Sequence, residues 1–130
     1  MSTEIGYCIQ SADYSAVDFD PVGYQGACNA IRDHDWAREI AQFVAMEDRG
    51  EDCCPPGIGF TRPVGGVVEF FHVCPVEDDL WSIYYQHPDR GTDESLAAES
   101  VVFNVVEKAL AVFYTGGRRE MEAELGRFAA

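Results

Sequence analysis

The middle of the chain holds two strand-forming segments that lie too close together in sequence for a parallel arrangement. Residues 66–73 (GVVEFFHV) and 80–86 (LWSIYYQ) are rich in β-branched and aromatic residues, and the acidic segment 75–79 joins them. A parallel crossover needs about a dozen residues or more, so this short link predicts an antiparallel hairpin. Residues 4–10 predict a first strand, and residues 60–62 a further short one.

The first predicted helix lies between Asp33, its expected N-cap, and Gly50, its expected end. Apolar residues recur in it at helical spacing and would form its buried face: Trp36, Ile40, Phe43 and Val44. Before this helix, residues 13–26 contain proline and glycine breakers and are expected to be irregular. After it, residues 53–59 contain two prolines and two glycines, which predicts a restrained loop.

Two more helices are predicted in the last part of the chain. One begins with Asp93 or Ser95 as its cap and ends in a left-handed cap at Gly116-Gly117, and the other spans residues 118–128. The residues expected to face the core are Leu96, Phe103, Val106, Leu110 and Phe113 in the first, and Met121, Leu125 and Phe128 in the second. The order of elements predicts an α+β fold, with residues 1–130 as a single domain. A short antiparallel sheet, made of the N-terminal strand and the central hairpin or meander, would carry about three helices on one face.

The cysteine count and the first residues predict a cytoplasmic protein. Five cysteines are an odd number, and residues 1–4 lack the basic and apolar regions of an export signal. We therefore expect free thiols in a reducing compartment. The apolar runs fall short of the ~20 residues that a membrane helix needs, so no membrane association is expected. Apolar residues make up 47% of the 130, enough for a core without a disulfide or metal.

A formal net charge of −14 is the chain's most unusual property. A field of this sign repels nucleic acid and anionic lipid and speeds encounter with basic proteins, so nucleic-acid binding is excluded and a basic protein partner is expected. Solubility alone is the alternative explanation for the charge. The carboxylates that we consider for binding fall into three segments: Glu47, Asp48, Glu51 and Asp52; Glu77, Asp78 and Asp79; and Asp89 and Asp93.

Two aromatic residues beside the second acidic segment are further binding candidates, Trp81 and Tyr84. Aromatic residues ringed by charge are typical of protein-binding hot spots. Strand alternation places Trp81 on the face of Ile83 and Tyr85 and places Tyr84 on the opposite face. The simpler interpretation is therefore that Trp81 belongs to the core and Tyr84 to the surface.

A metal site is the weaker interpretation of the cysteines and histidines. His72 and Cys74 share a strand face, and Cys53 and Cys54 would complete a four-ligand zinc site. Adjacent cysteines beside two prolines do not match a C-x2-C knuckle, however, so we expect Cys74 to be a packed thiol and no cofactor to be bound. Glu51 and Asp52 beside Cys53 disfavour its thiolate, which argues against a nucleophile there.

No catalytic motif is present, and the remaining candidate for acid–base chemistry is Glu69, which interrupts an apolar strand. The expected position for this residue is the solvent face of a half-covered sheet.

A small acidic α+β chain with aromatic residues beside acidic clusters resembles the immunity proteins of bacterial toxin systems. The resemblance rests on size, charge and composition. It implies a cytoplasmic protein that binds a cognate toxin over its active site and so protects the cell. A secretion chaperone for an effector is one alternative, and such chaperones usually dimerise. A small metal-binding protein or enzyme that uses Cys53, Cys54, His72 and Cys74 is the other.

Overall fold

The computed structural model describes residues 5–64, 66–77, 79–87 and 96–127. Within these ranges the chain forms a six-stranded antiparallel sheet with four helices packed against it, which confirms the α+β prediction. The elements are β1 (Gly6–Gln10), β2 (Ala16–Phe19), α1 (Tyr24–Asp33), α2 (Trp36–Asp48), β3 (Gly57–Val64), β4 (Val67–Glu77), β5 (Leu80–Gln86), β6 (Leu96–Val101), α3 (Phe103–Thr115) and α4 (Arg118–Gly126). The strand order is β2-β1-β3-β4-β5-β6. No helix in the described ranges is long and apolar enough to span a bilayer.

The predicted hairpin is β4 and β5, and its alternation builds the core. Phe71 lies opposite Tyr85, and Val73 lies opposite Ile83. These side chains and their neighbours on β3 point to one side of the sheet, where all of them are fully buried: Ile58, Phe60, Phe71, Val73, Ile83 and Tyr85. Side chains of all four helices complete this core. We call this side of the sheet the helix face and the opposite side the groove face.

The segment predicted to begin the third helix is instead a strand. Residues 96–101 form β6, which pairs with β5 through Ile83 opposite Ala98 and Trp81 opposite Val101. The helix α3 starts only at Phe103, with Val102 as its N-cap. Leu96 therefore faces the core from a strand, because pairing with β5 outweighs the local helical spacing. The predicted caps Asp93 and Ser95 lie outside the described residues.

The region 13–26, expected to be irregular, holds a strand and the start of a helix. Among the described strands, β2 pairs only with β1 and is an edge of the sheet, and all four of its residues are exposed. α1 begins at Tyr24 and buries Ala27, Cys28 and Ile31. Asp33 was predicted as the N-cap of the helix that follows it, but it is the last residue of α1. The N-cap of α2 is Asp35, whose side chain accepts a hydrogen bond from the Arg38 backbone N–H.

The predicted left-handed cap at the end of α3 is also wrong, since Gly116 has φ −114°. The guanidinium of Arg62 replaces it by donating hydrogen bonds to the carbonyl oxygens of Phe113 and Gly116. Glycine is needed at 116 for a different reason. A Cβ there would lie 2.8 Å from the Glu120 Cβ and 3.2 Å from the Val112 carbonyl oxygen.

Glu69 does not face solvent, contrary to the prediction. It lies on the helix face, only 1% exposed, and accepts a hydrogen bond from Arg62 Nε at 2.7 Å. The Tyr85 hydroxyl donates to the other carboxylate oxygen. The Arg62 guanidinium also stacks 4.6 Å from the centroid of the Phe113 ring. The residue is thus half of a buried ion pair that links the sheet to the end of α3.

Candidate functional site

A groove of about 680 Å³ lies on the groove face, at the end of the sheet where β4 ends and β5 begins. His72 and Cys74 of β4 lie beside Ser82 and Tyr84 of β5 along its floor. The other residues that line it are Gln10, Phe43, Cys54, Pro55, Pro75, Val76, Glu99 and Ser100. We call this concavity the groove.

Two glycines of β3 allow the floor of the groove to form. A Cβ on Gly57 would lie 2.6 Å from His72 Nε2 and 2.8 Å from Cys74 Sγ. A Cβ on Gly59 would lie 2.8 Å from the Phe70 ring. The imidazole and the phenyl ring therefore lie across the bare backbone of β3, with their centroids 5.4 Å apart. The loop predicted at 53–59 gives way to strand from Gly57 onward, where β3 pairs with β1 and β4.

Burial favours the neutral forms of His72 and Cys74 on the floor of the groove. Burial lowers the pKa of His72, and burial followed by the nearby Cys54 raises the pKa of Cys74 to about 11. The two side chains are in contact, with Cys74 Sγ 3.8 Å from His72 Nδ1. Both shifts oppose a thiolate–imidazolium pair, so this pair lacks the activation that a cysteine nucleophile requires.

Cys53 and Cys54 do not complete a metal site with these residues. The Cys54 backbone N–H donates to Ala12 O at 2.9 Å, and its thiol donates to Ser11 O at 3.4 Å. Desolvation and then Glu47 raise the pKa of the Cys53 thiol. In the described part of the chain, no three His, Cys, Asp or Glu side chains converge as a metal centre requires. All five cysteines are free.

The acidic segment 47–52 and Asp79 of the β4–β5 turn lie at the end of the sheet that carries the groove. The segment after α2 leads directly into Gly57 at the start of β3, and the β4–β5 turn lies at the same end of the adjacent strand. We call this surface the acidic end and define it by five exposed residues: Glu47, Asp48, Glu51, Asp52 and Asp79. Asp78, Asp89 and Asp93 lie outside the described residues, and Glu77 is the last residue of β4.

An exposed aromatic residue that the sequence did not indicate contacts the acidic end. Tyr14, at the tip of the β1–β2 hairpin, is 51% exposed, and its hydroxyl donates to Asp52 Oδ1 and to Cys53 O, each at 3.1 Å. Glu51 is partly neutralised by Arg49, whose Nε lies 2.6 Å from Glu51 Oε1. The side chains of Glu47, Asp48 and Asp79 make no such ion pair within the described residues.

The two predicted aromatic candidates separate as strand alternation indicates. Trp81 packs inward, with its ring 6.1 Å from that of Trp36 and 5.6 Å from that of Phe103. Tyr84 lies on the groove face, 6.4 Å from the His72 ring. Phe43 was expected on the buried face of its helix, yet it forms a wall of the groove. Helical spacing alone does not indicate this position for Phe43.

Comparison with protein-family models, with curated proteins and with solved structures found no match for this chain.

Proposed function

We propose that this protein binds a basic protein partner and neutralises it, in the manner of an immunity protein that covers the active site of a cognate toxin in the cytoplasm. The observation that carries the proposal is the acidic end. The acidic segment 47–52 and Asp79 are far apart in sequence, yet both lie at the end of the sheet that carries the groove. The exposed Tyr14, at the tip of the β1–β2 hairpin, donates a hydrogen bond to Asp52. Charge around an aromatic and apolar centre is the composition of a protein interface.

The mechanism that follows is steric occlusion guided by charge. The excess of carboxylates raises the rate of encounter with a basic surface. Asp48 and Asp79, which make no ion pair within the described part of the chain, fix the orientation of that surface. Tyr14 and the groove supply the surface that becomes buried when the partner binds. A toxin that acts on an anionic substrate such as nucleic acid needs basic residues at its active site, and these residues are the natural target of such a surface.

Alternative functions receive less support from the same geometry. An enzyme or metal protein built on His72 and Cys74 would need a charged pair or a third ligand, and both side chains are neutral by burial. A secretion chaperone would be expected to dimerise, which sedimentation of the purified protein measures directly.

The test is affinity capture from a lysate of the source organism, followed by association kinetics with the captured partner. In the double variant Asp48→Lys/Asp79→Lys we expect association to slow by about tenfold or more and to lose most of its salt dependence. The matched control is Asp18→Lys/Asp20→Lys, on and just after the edge strand β2. Each pair changes the formal charge from −14 to −10.

The comparison between the two double variants separates a site from a general effect of charge. Equal slowing by both pairs would mean that net charge alone drives association, and the acidic end would not be the interface. Capture of no stoichiometric partner at either low or high salt would overturn the neutralising function itself.

A further inference from the structure

We propose that the groove receives an arginine side chain of the partner, with the guanidinium between the Tyr84 ring and the Glu99 carboxylate. This inference rests on the proposed function and specifies the chemistry that the partner brings to this surface.

The lining of the groove selects for a cation with an apolar stem. Among the described residues that line it, none is lysine or arginine, and the one carboxylate, Glu99, is exposed. The His72 imidazole on the floor is neutral near pH 7 because of its burial, so it does not repel a cation. Phe43, His72 and Tyr84 supply aromatic rings, and a guanidinium stacks on such rings while its methylene stem covers apolar surface.

Irregular pairing between β5 and β6 brings two polar residues to the rim of the groove. Val101 pairs with Trp81 and Ala98 pairs with Ile83, so Glu99 and Ser100 together oppose a single residue of β5. Ser100 has φ 57°, a left-handed conformation that is unfavourable for a residue other than glycine. Bulges of this kind redirect side chains and are common beside functional sites. Here the bulge places Glu99 and Ser100 in the lining of the groove.

A second shift in register, between Pro75 and Glu77, lies on the opposite side of the start of β5. It leaves Val76 out of the pairing, 44% exposed, on the rim of the groove. The apolar wall and the carboxylate therefore come from two separate interruptions of the same sheet, on the two strands that flank β5. Regular strands at these positions would keep both side chains within the ladder.

Arginine fits this lining better than the other possible occupants. The Glu99 carboxylate and the net charge of −14 repel anionic ligands. They also repel a second copy of the chain, which carries the same net charge. A lysine ammonium is compact and strongly hydrated, whereas the planar guanidinium is weakly hydrated and binds a carboxylate through two parallel hydrogen bonds. A volume of about 680 Å³ also leaves room for the backbone on either side of that side chain.

The test uses the purified protein and two capped tripeptides, acetyl-Gly-Arg-Gly-amide and its citrulline counterpart. Citrulline keeps the shape of arginine and removes its charge. We expect the arginine peptide to shift the NMR signals of His72, Tyr84 and Glu99 in a saturable way, and the citrulline peptide to bind at least fivefold more weakly. Glu99→Gln should weaken the binding of the arginine peptide by about fivefold, and the control Asp20→Asn should leave that binding unchanged.

The outcomes separate this inference from the proposed function. Equal binding of both peptides, or shifts spread over the acidic end and not the groove, would overturn the arginine site while leaving partner capture intact. Binding of the arginine peptide by a protein that captures no partner would instead identify a site for small cationic ligands and overturn the role of the partner. Glu99→Gln applied to the captured complex completes the test, because its dissociation must accelerate if a partner arginine occupies the groove.

Discussion

Arg62 and Glu69 are the residues whose role depends most on partners that are distant in sequence. Both faces of β4 carry aromatic residues, Phe70 on one and Phe71 on the other, so alternation alone does not show which face is covered. Only the pairing of β3 with β4 brings Arg62 opposite Glu69, and only the packing of α3 brings its last carbonyls to the guanidinium. A carboxylate on a strand therefore looked solvent-facing in the sequence.

Breaking this buried ion pair on one side is expected to be more damaging than removing it. We expect Arg62→Met to lower the free energy of unfolding by about 3–5 kcal/mol, because it leaves the Glu69 carboxylate buried without a countercharge. The double variant Arg62→Met/Glu69→Leu should recover part of that loss, although it removes more polar groups. Urea unfolding of the two variants measures the difference. A double variant no more stable than the single one would contradict this account of the pair.

Cys74 makes stability depend on alkaline pH. Its pKa is about 11 in the folded protein against 9.0 for an ordinary thiol, so the unfolded chain loses this proton first as the pH rises. The contribution of this thiol to the free energy of unfolding is fully present below pH 9 and is lost progressively up to about pH 11. Over this range we expect the free energy of unfolding to fall by about 2 kcal/mol more in the wild type than in Cys74→Ala. Thermal unfolding at several pH values checks it, and parallel pH profiles would contradict the assignment.

At the scale of elements, the sequence predicted those segments whose own residues decide their structure. The β4–β5 hairpin, β1 and α4 all have a clear period or a short link, and all were found. The two strands at the edges of the sheet, β2 and β6, were not predicted, because each is defined by its partner more than by its composition. Residues 96–101 have helical spacing with the following segment, and only pairing with β5 makes them a strand.

The junction of α3 and α4 provides a test of packing between elements. Gly116→Ala places a Cβ 2.8 Å from the Glu120 Cβ and should lower the free energy of unfolding by about 1–3 kcal/mol. Gly126→Ala is the matched control, because at the end of α4 a Cβ meets nothing within 4 Å. We expect that control to be neutral or slightly stabilising, since alanine favours a helix. If both variants behave alike in urea unfolding, the close approach at Gly116 does not limit the fold.

At the scale of the whole molecule, the acidic composition predicted a negatively charged surface but not where on the fold its charged segments and groove lie. Segments 47–52 and 77–79 were both considered for binding, yet nothing in either indicates that the first and Asp79 lie at the same end of the sheet. The groove between them takes residues from six elements or loops, with Gln10 and Glu99 coming from strands far apart in the chain. A site assembled in this way has no local pattern, so it becomes visible only once the strand order is known.

The same net charge is expected to act in opposite directions on folding and on binding. With 23 acidic and 9 basic residues, carboxylates repel one another in the folded protein, and salt screens that repulsion. Raising NaCl from about 0.01 M to 0.3 M, which shortens the screening length from about 30 Å to below 10 Å, should therefore increase the unfolding temperature. Association with a basic partner should slow over the same range, because the screened charges no longer attract it.

These two salt dependences also respond differently to substitution. Asp48→Lys/Asp79→Lys and Asp18→Lys/Asp20→Lys remove the same amount of negative charge, so both should weaken the effect of salt on the unfolding temperature. Only the first pair should weaken the effect of salt on association, since only it lies at the acidic end. A wild-type unfolding temperature that falls with salt would mean that ion pairs such as Arg32–Glu107 outweigh the repulsion. The net charge would then act on association with the partner without destabilising the folded protein.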